Sequence, residues 1–333
     1  LGNSNPQSEI RNPKSPLIAI VGPTASGKSA LAVSIAERFH GEIVNYDSVQ
    51  IFRYFDIGTA KPTPDERRRV PHHMIDIRDP EDVFTAGDYQ REARMILDGI
   101  RARGRIPVLV GGTGLYLKAI LEGLFDGPAR SARWRDRLEN LSERKGREYL
   151  HKLLTRLDRA AALRIAPRDK PKIIRALEVR LETGRPLSEH LRVAPRRPLG
   201  GFQVFMIGLA PSRIESYRRI DERVRRMFQA GLVEEVRGLI AKGVPRAAKP
   251  FGAIGYRHVL AALDAGEGDW EETVRIIQRD TRRYAKRQTT WFRRQPNIAW
   301  FDGFGDNEQI RDRIHRHLEV SLRDGEGGAS RFF

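Results

Sequence analysis

The stretch LIAIVGPTASGKSALAV, residues 17–33, decides the fold. Its opening run of five apolar residues is the kind that becomes a parallel strand buried on both faces. GPTASGKS follows and fits G-x-x-x-x-G-K-[ST], and apolar residues at helical spacing come next. A strand, a glycine-bracketed turn and a helix in that order make a phosphate cradle. The backbone N–H groups of Gly22, Pro23 excepted, Thr24, Ala25, Ser26 and Gly27 can point inward at anionic oxygens. The helix N-terminus adds about half a positive charge. Lys28 supplies a mobile cation, and the Ser29 hydroxyl is suited to ligate Mg²⁺.

Working outward, EIVNYD (42–47), RIPVLVGG (105–112) and FQVFMIGLA (202–210) read as further strands. Residues 85–103 read as an amphipathic helix, with Thr85 as cap and Gly104 as stop. The alternation predicts an α/β fold, a P-loop NTPase-like parallel sheet flanked by helices, with ligands at the carboxyl ends of the strands. From Leu121 to Leu199 only helical patterns occur, which predicts an inserted all-helical domain. The core is then discontinuous, 17–120 and 200–320, with long helices over 213–242 and 270–294. Residues 1–16 are expected to form a disordered leader and 321–333 to fray.

The 60 Lys and Arg residues outnumber the 43 Asp and Glu, a net charge of +17. Between Arg130 and Gly200 the count is 20 against 9, so most of the excess sits in the insertion. Such concentration points to a polyanionic partner, nucleic acid first. With no cysteine there can be no disulfide, thiolate metal site or cysteine nucleophile. No run approaches the ~18 apolar residues of a membrane span. We read a cytoplasmic protein without membrane attachment.

An ATP-hydrolysing P-loop protein should carry a strand ending in an aspartate that holds the metal. Here PVLV runs instead into Gly111-Gly112-Thr113, which can approach a ligand closely but cannot act as a carboxylate. The carboxylate at a strand end is Asp47, beside the phosphate loop in this topology. A turn or helix-cap role is the alternative reading; the position favours a catalytic one. Near the C-terminus, Arg279, Arg282, Arg283, Lys286 and Arg287 form a basic stripe at helical spacing, read as a phosphate-backbone track. Ile277, Tyr284 and Trp291 repeat every seven residues and read as core. His72 and His73 lack metal-ligand spacing and read as structural.

GPTASGKS, DSVQIFRYFDIGTAKP, PHHMIDI, TAGDY, PVLVGGTGLY, IIRALEV, GLVEEVRGL, AIGY and TRRYAKRQTTWFRR occur in an order and spacing that resemble the tRNA dimethylallyltransferases of bacterial type, across residues 17–300. The resemblance implies that the P-loop holds the diphosphate of dimethylallyl diphosphate. The acceptor would be N6 of the adenosine 3′ of the anticodon, in tRNAs reading codons that begin with U. It makes Asp47 the general base, brings Arg223 to the diphosphate, and puts Thr113 against the substrate nucleotide. Ser48, Val49 and Gln50 would meet anticodon nucleotides. In the insertion, Pro171, Lys172, Ile173, Ile174 and Arg175 match a tRNA-contacting stretch, and Arg135 aligns with another such position. Where the family pattern has Gln-Arg this chain has Pro171-Lys172, which loses the bidentate fork of arginine. The partner would be a tRNA anticodon stem-loop, the cofactor Mg²⁺, and the enzyme a monomer. A P-loop small-molecule kinase lacks a reason for the basic insertion, as does prenyl transfer to free AMP. A GTP switch should show N-K-x-D, which is absent.

Overall fold

The computed structural model describes residues 14–125, 127–193, 196–266 and 269–327. The chain divides into a discontinuous unit, residues 1–120 and 199–333, and a second unit over 121–198.

Six parallel strands form the sheet of the first unit: β1 (Ser15–Val21), β2 (Gly41–Asn45), β3 (His72–His73), β4 (Ile106–Val110), β5 (Phe202–Leu209) and β6 (Ile298–Phe301), in the order β3-β2-β4-β1-β5-β6. The unbroken apolar run of β1 takes the central place, with Leu17 to Val21 excluded from solvent. Strands β3 and β6 had no pattern in the sequence to announce them, being short edge segments. β1 starts earlier than expected. Ser15 and Pro16 pair with Phe202 and Gln203, and the Ser15 N–H donates to the Gly201 carbonyl at 3.0 Å. Proline is tolerated as an early strand residue where its missing donor is not needed. The first thirteen residues of the expected leader lie outside the described residues.

Helices α1 (Lys28–Arg38), α2 (Pro64–Arg69), α3 (Ala86–Ala102) and α4 (Gly114–Glu122) follow the early strands. Thr85 caps α3 in a reciprocal box with Asp88, and Gly104 leaves it in the left-handed region, as the sequence predicts. Helix α1 starts at Gly27, φ +82°, with no side-chain cap and no acidic residue in its first turn, which leaves its N–H groups for another acceptor.

In the second unit the described residues form only helices: α5 (Ala132–Lys145), α6 (Arg147–Leu157), α7 (Arg159–Arg164), α8 (Lys170–Thr183) and α9 (Leu187–Val193). Leu138, Leu150, Leu154, Ile173, Ile174 and Leu177 make its core. Glu178 is fully buried among them and accepts from Arg135 Nε at 2.9 Å, Arg175 at 2.7 Å and the Ser131 N–H at 2.7 Å.

The first unit resumes with β5. The helical pattern over 213–242 is interrupted at Gly231, φ +94°, giving α10 (Arg213–Gln229) and α11 (Leu232–Ala241). A 3₁₀ turn (Lys249–Gly252), α12 (Tyr256–Asp264), α13 (Trp270–Phe292) and, after β6, α14 (Glu308–Gly327) complete it. Helix α14 extends past the point where fraying was expected, because Ile310, Ile314 and Leu318 seat one face of it on the core. Residues 328–333 lie outside the described residues. No described helix is long and apolar enough to cross a membrane.

Removing one partner of a buried ion pair leaves the others desolvated and uncompensated. Glu178→Ala should therefore lower unfolding stability by about 3–5 kcal/mol, and Glu178→Gln by less, as measured by urea unfolding followed by helix circular dichroism.

Candidate active site

Three loops at the carboxyl ends of β1, β2 and β4 meet. In the first, Gly22 (φ +149°), Ala25 (φ +63°) and Gly27 (φ +82°) curl the backbone. Ala25 adopts a left-handed conformation that costs an L-residue energy, so the surroundings must enforce it. Lys28 folds back, Nζ donating to the Gly22 carbonyl at 3.0 Å and the Pro23 carbonyl at 2.7 Å. From outside, the Gly305 N–H donates to the Ser26 carbonyl at 2.9 Å. Gln288 of α13 accepts from the Thr24 N–H at 2.8 Å.

In the second loop, Asp47 follows Tyr46 off β2. Its Oδ1 accepts from the Val49 N–H at 2.9 Å and, more loosely, from the Gln50 N–H at 3.5 Å. That fixes the carboxylate by one oxygen. The other, Oδ2, lies over Gly112 of the third loop, where an added Cβ would come within 3.0 Å of it. Thr113 Oγ1 accepts from the Ser48 N–H at 3.0 Å and bonds the Ser48 hydroxyl at 3.1 Å, which ties the second and third loops together. The Gly112 carbonyl accepts from Tyr284 Oη and Gln288 Nε2, both at 2.9 Å. Farther along the second loop the chain is pinned by Lys61, whose buried Nζ donates to the Phe52 carbonyl at 2.8 Å and to Asp56 and Asp76 at 2.5 and 2.6 Å.

Thr24, Asp47, Ser48, Val49, Thr113, Arg223 and Arg287 share the wall of one cavity of about 350 Å³. Ile220, Val224 and Met227 of α10 and Ile277 of α13 give it an apolar side. Burial and the neighbouring Arg223 push Lys28 down from 10.5 to about 7, against the pull of Asp47. Burial lowers Arg223 as well, again opposed by Asp47. Two desolvated cations thus feel each other and one carboxylate, an imbalance that a polyanion would relieve. Burial and the Asp47 charge raise the Tyr284 phenol, which keeps it a hydrogen-bond donor.

Other candidates lie elsewhere. Gln50 faces a separate small void beside Ser29, its amide nitrogen donating to the Thr59 and Ala60 carbonyls at 3.0 and 3.3 Å. The basic stripe of α13 is divided. Arg282 pairs with Asp221 of α10 at 2.5 Å, Arg279 and Arg283 approach Asp280 at 3.5 and 3.6 Å, and Lys286 and Arg287 are exposed. Asp221 comes from a segment 61 residues away, so the stripe alone gives no sign of this partner. In the second unit, Ile173 and Ile174 are core residues and offer no side chain to a ligand. Arg135 and Arg175 are engaged by Glu178, Lys172 is exposed and paired with Asp169 at 2.5 Å, and Pro171 is exposed. His72 and His73 bond the Val70 carbonyl and Glu42, and no metal-binding cluster of His, Cys, Asp and Glu occurs among the described residues.

Tyr284 was read as core and instead lines the cavity; Gln288 was not singled out at all. Thr281, Tyr284 and Gln288 recur at i, i+3 and i+7, a hydrogen-bonding face between the basic residues that could have marked them.

Residues 50–295 match the family model described as IPP transferase. The chain belongs to that family. Relatives named tRNA dimethylallyltransferase are 51% identical in Solibacter usitatus, over 91% of this chain and 99% of theirs, and 48% identical in Geobacter metallireducens, over 90% and 97%. The crystal structure of the full-length tRNA isopentenylpyrophosphate transferase of Bacillus halodurans superposes with a TM-score of 0.69 at 39% identity, covering 94% of this chain and 98% of that one. A eukaryotic dimethylallyltransferase captured acting on tRNA gives a TM-score of 0.75 at 25% identity, covering 92% and 79%. The P-loop NTPase-like sheet and its prenyl-transferring chemistry are therefore family traits that this IPP transferase shares.

The depressed Lys28 has a cost to folding. Between pH 7 and 10.5 the unfolded chain binds a proton that the folded chain releases, so the penalty is complete below pH 7 and fades as pH rises through that window. Lys28→Met should raise Tm by at least about 4 °C at pH 6 and by only a small fraction of that at pH 10, relative to wild type at the same pH, as read by differential scanning calorimetry.

Proposed function

We propose that this IPP transferase moves the dimethylallyl group from dimethylallyl diphosphate to N6 of the adenosine 3′ of the anticodon, in tRNAs that read codons beginning with U. The observation that carries the reading is one cavity: the tethered carboxylate of Asp47, the Arg223 guanidinium and Thr24 of the phosphate loop share its wall. The N6 lone pair attacks C1 of the donor, the C1–O bond breaks, and diphosphate leaves with the bonding electrons. The N6 proton passes to Asp47 Oδ2. The exocyclic amine is a weak nucleophile, and a positioned base contributes about 10²–10⁴-fold. Lys28, Arg223 and the loop N–H groups stabilise charge that accumulates on the leaving oxygens. The apolar wall of Ile220, Val224 and Met227 suits the five-carbon group.

A base stacked in an anticodon loop must be extruded to reach Asp47. Exposed Lys286 and Arg287 lie on the same helix as Tyr284 and suit the flanking phosphates. The surplus of positive charge over residues 130–200 suits the stem-loop backbone. Mg²⁺ takes few protein ligands and several phosphate and water oxygens. Ser29, exposed at the start of α1, fits as such a ligand without a carboxylate cluster. When bound, the ion would neutralise charge on the diphosphate. Action on tRNA supports a cytoplasmic enzyme, and we take it to be a monomer.

The test is label transfer from radiolabelled dimethylallyl diphosphate, with Mg²⁺, to an anticodon stem-loop, using AMP as a control acceptor. Wild type should label the RNA and not AMP, and Asp47→Ala should be slower by about 10²-fold or more. Label in AMP would replace the acceptor, and ATP consumption without label in either would restore the kinase reading.

A further inference from the structure

The Gln288 side chain bonds two of the three loops. Oε1 accepts from the Thr24 N–H in the phosphate loop at 2.8 Å, and Nε2 donates to the Gly112 carbonyl at 2.9 Å. The side chain is buried, with 6% of the residue exposed. A carboxamide offers an acceptor and a donor at once, so the two contacts also fix which way the amide faces. An added Cβ on Gly112 would lie 3.0 Å from both Gln288 Nε2 and Asp47 Oδ2. The amide and the carboxylate therefore border the same empty space beside this glycine. Through Gly112 the chain continues to Thr113, whose hydroxyl holds Ser48 beside Asp47.

We propose that Gln288 is a positioning residue for alkyl transfer: it sets the spacing between the loop that holds the donor and the loops that hold the proton acceptor. The inference rests on the reading of those loops given above. The forming C–N and breaking C–O bonds must be in line, and a misplacement of ~1 Å costs about 10²-fold in rate. Gln288 would act on the turnover step while leaving the binding of each substrate intact, because the cations and the cavity wall are supplied by other residues.

The experiment compares wild type, Gln288→Glu and Gln288→Met. It measures the single-turnover rate on an anticodon stem-loop, the Kd for dimethylallyl diphosphate, the KM for RNA, and Tm. Glutamate keeps an acceptor toward Thr24 but, when ionised, presents a second acceptor to the Gly112 carbonyl. When protonated it can donate to that carbonyl as glutamine does. Both variants should lose about 100-fold in rate, with Kd and KM within about threefold of wild type. The ratio of the Gln288→Glu rate to the wild-type rate should rise as pH falls from 8 to 6. Asp47, Lys28, Tyr284, Arg223 and Arg287 surround the site in all three proteins, and Gln288→Met, which brings no carboxyl group, controls for their own titration. A loss confined to packing would leave the ratio flat. Wild-type rates in both variants, a flat ratio, or a loss of donor affinity matching the loss of rate would overturn the inference while wild type still labels RNA. Failure of wild type to transfer label would overturn the donor reading, and this inference with it.

Discussion

Gly112 has no side chain, and Asp47, Gln288 and Tyr284 close on the space where one would be. Its carbonyl is gripped by Tyr284 and Gln288, and a Cβ there would come within 3.0 Å of Asp47 Oδ2. The neighbouring Gly111 is under the same constraint, since a Cβ there would sit 2.5 Å from the Tyr46 carbonyl carbon. This close approach follows from the strand order. With β4 between β2 and β1, the loop leaving β4 is enclosed by the loops on either side. Glycine is the residue that lets backbone approach backbone at that distance. The pair that stands in place of the expected metal-holding aspartate of a P-loop ATPase is thus a packing requirement, and the carboxylate of this site, Asp47, leaves the neighbouring strand instead.

The electrostatics follow from the same crowding. Lys28 is folded against carbonyls of its own loop and burial drives its proton off near neutrality, while Asp47 is held by backbone amides at one oxygen. Among the described residues neither group forms a direct ion pair. The protein keeps opposite charges apart in a desolvated space, at some expense in stability, so that each retains its capacity for a partner.

The central strand, the phosphate loop and Asp47 were legible because each rests on a local pattern: an apolar run, a motif with glycines at fixed spacing, a carboxylate at a strand end. The edge strands β3 and β6 were not, since two and four residues are too few to show a period. Arg282 looked free because its carboxylate, Asp221, lies 61 residues away. Ile173 and Ile174 matched a family stretch whose helix buries those side chains, so a motif located the segment without saying which atoms it exposes. Gln288 carried no charge or motif, and its meaning depends on Thr24, 264 residues earlier. Long-range hydrogen bonds leave no periodic trace in a sequence.

The phosphate loop is built near the start of the chain and braced near its end, by Gln288 at Thr24 and by Gly305 at Ser26. At a translation speed of about 5–20 residues per second, roughly 15 to 50 s separate the emergence of the loop from that of its first brace. A nascent chain therefore displays the motif long before the loop is held in shape. An interrupted chain that stops before α13 would also lack Lys286 and Arg287. The braces of the phosphate loop thus arrive together and late, and a partly made chain holds the motif without its shape.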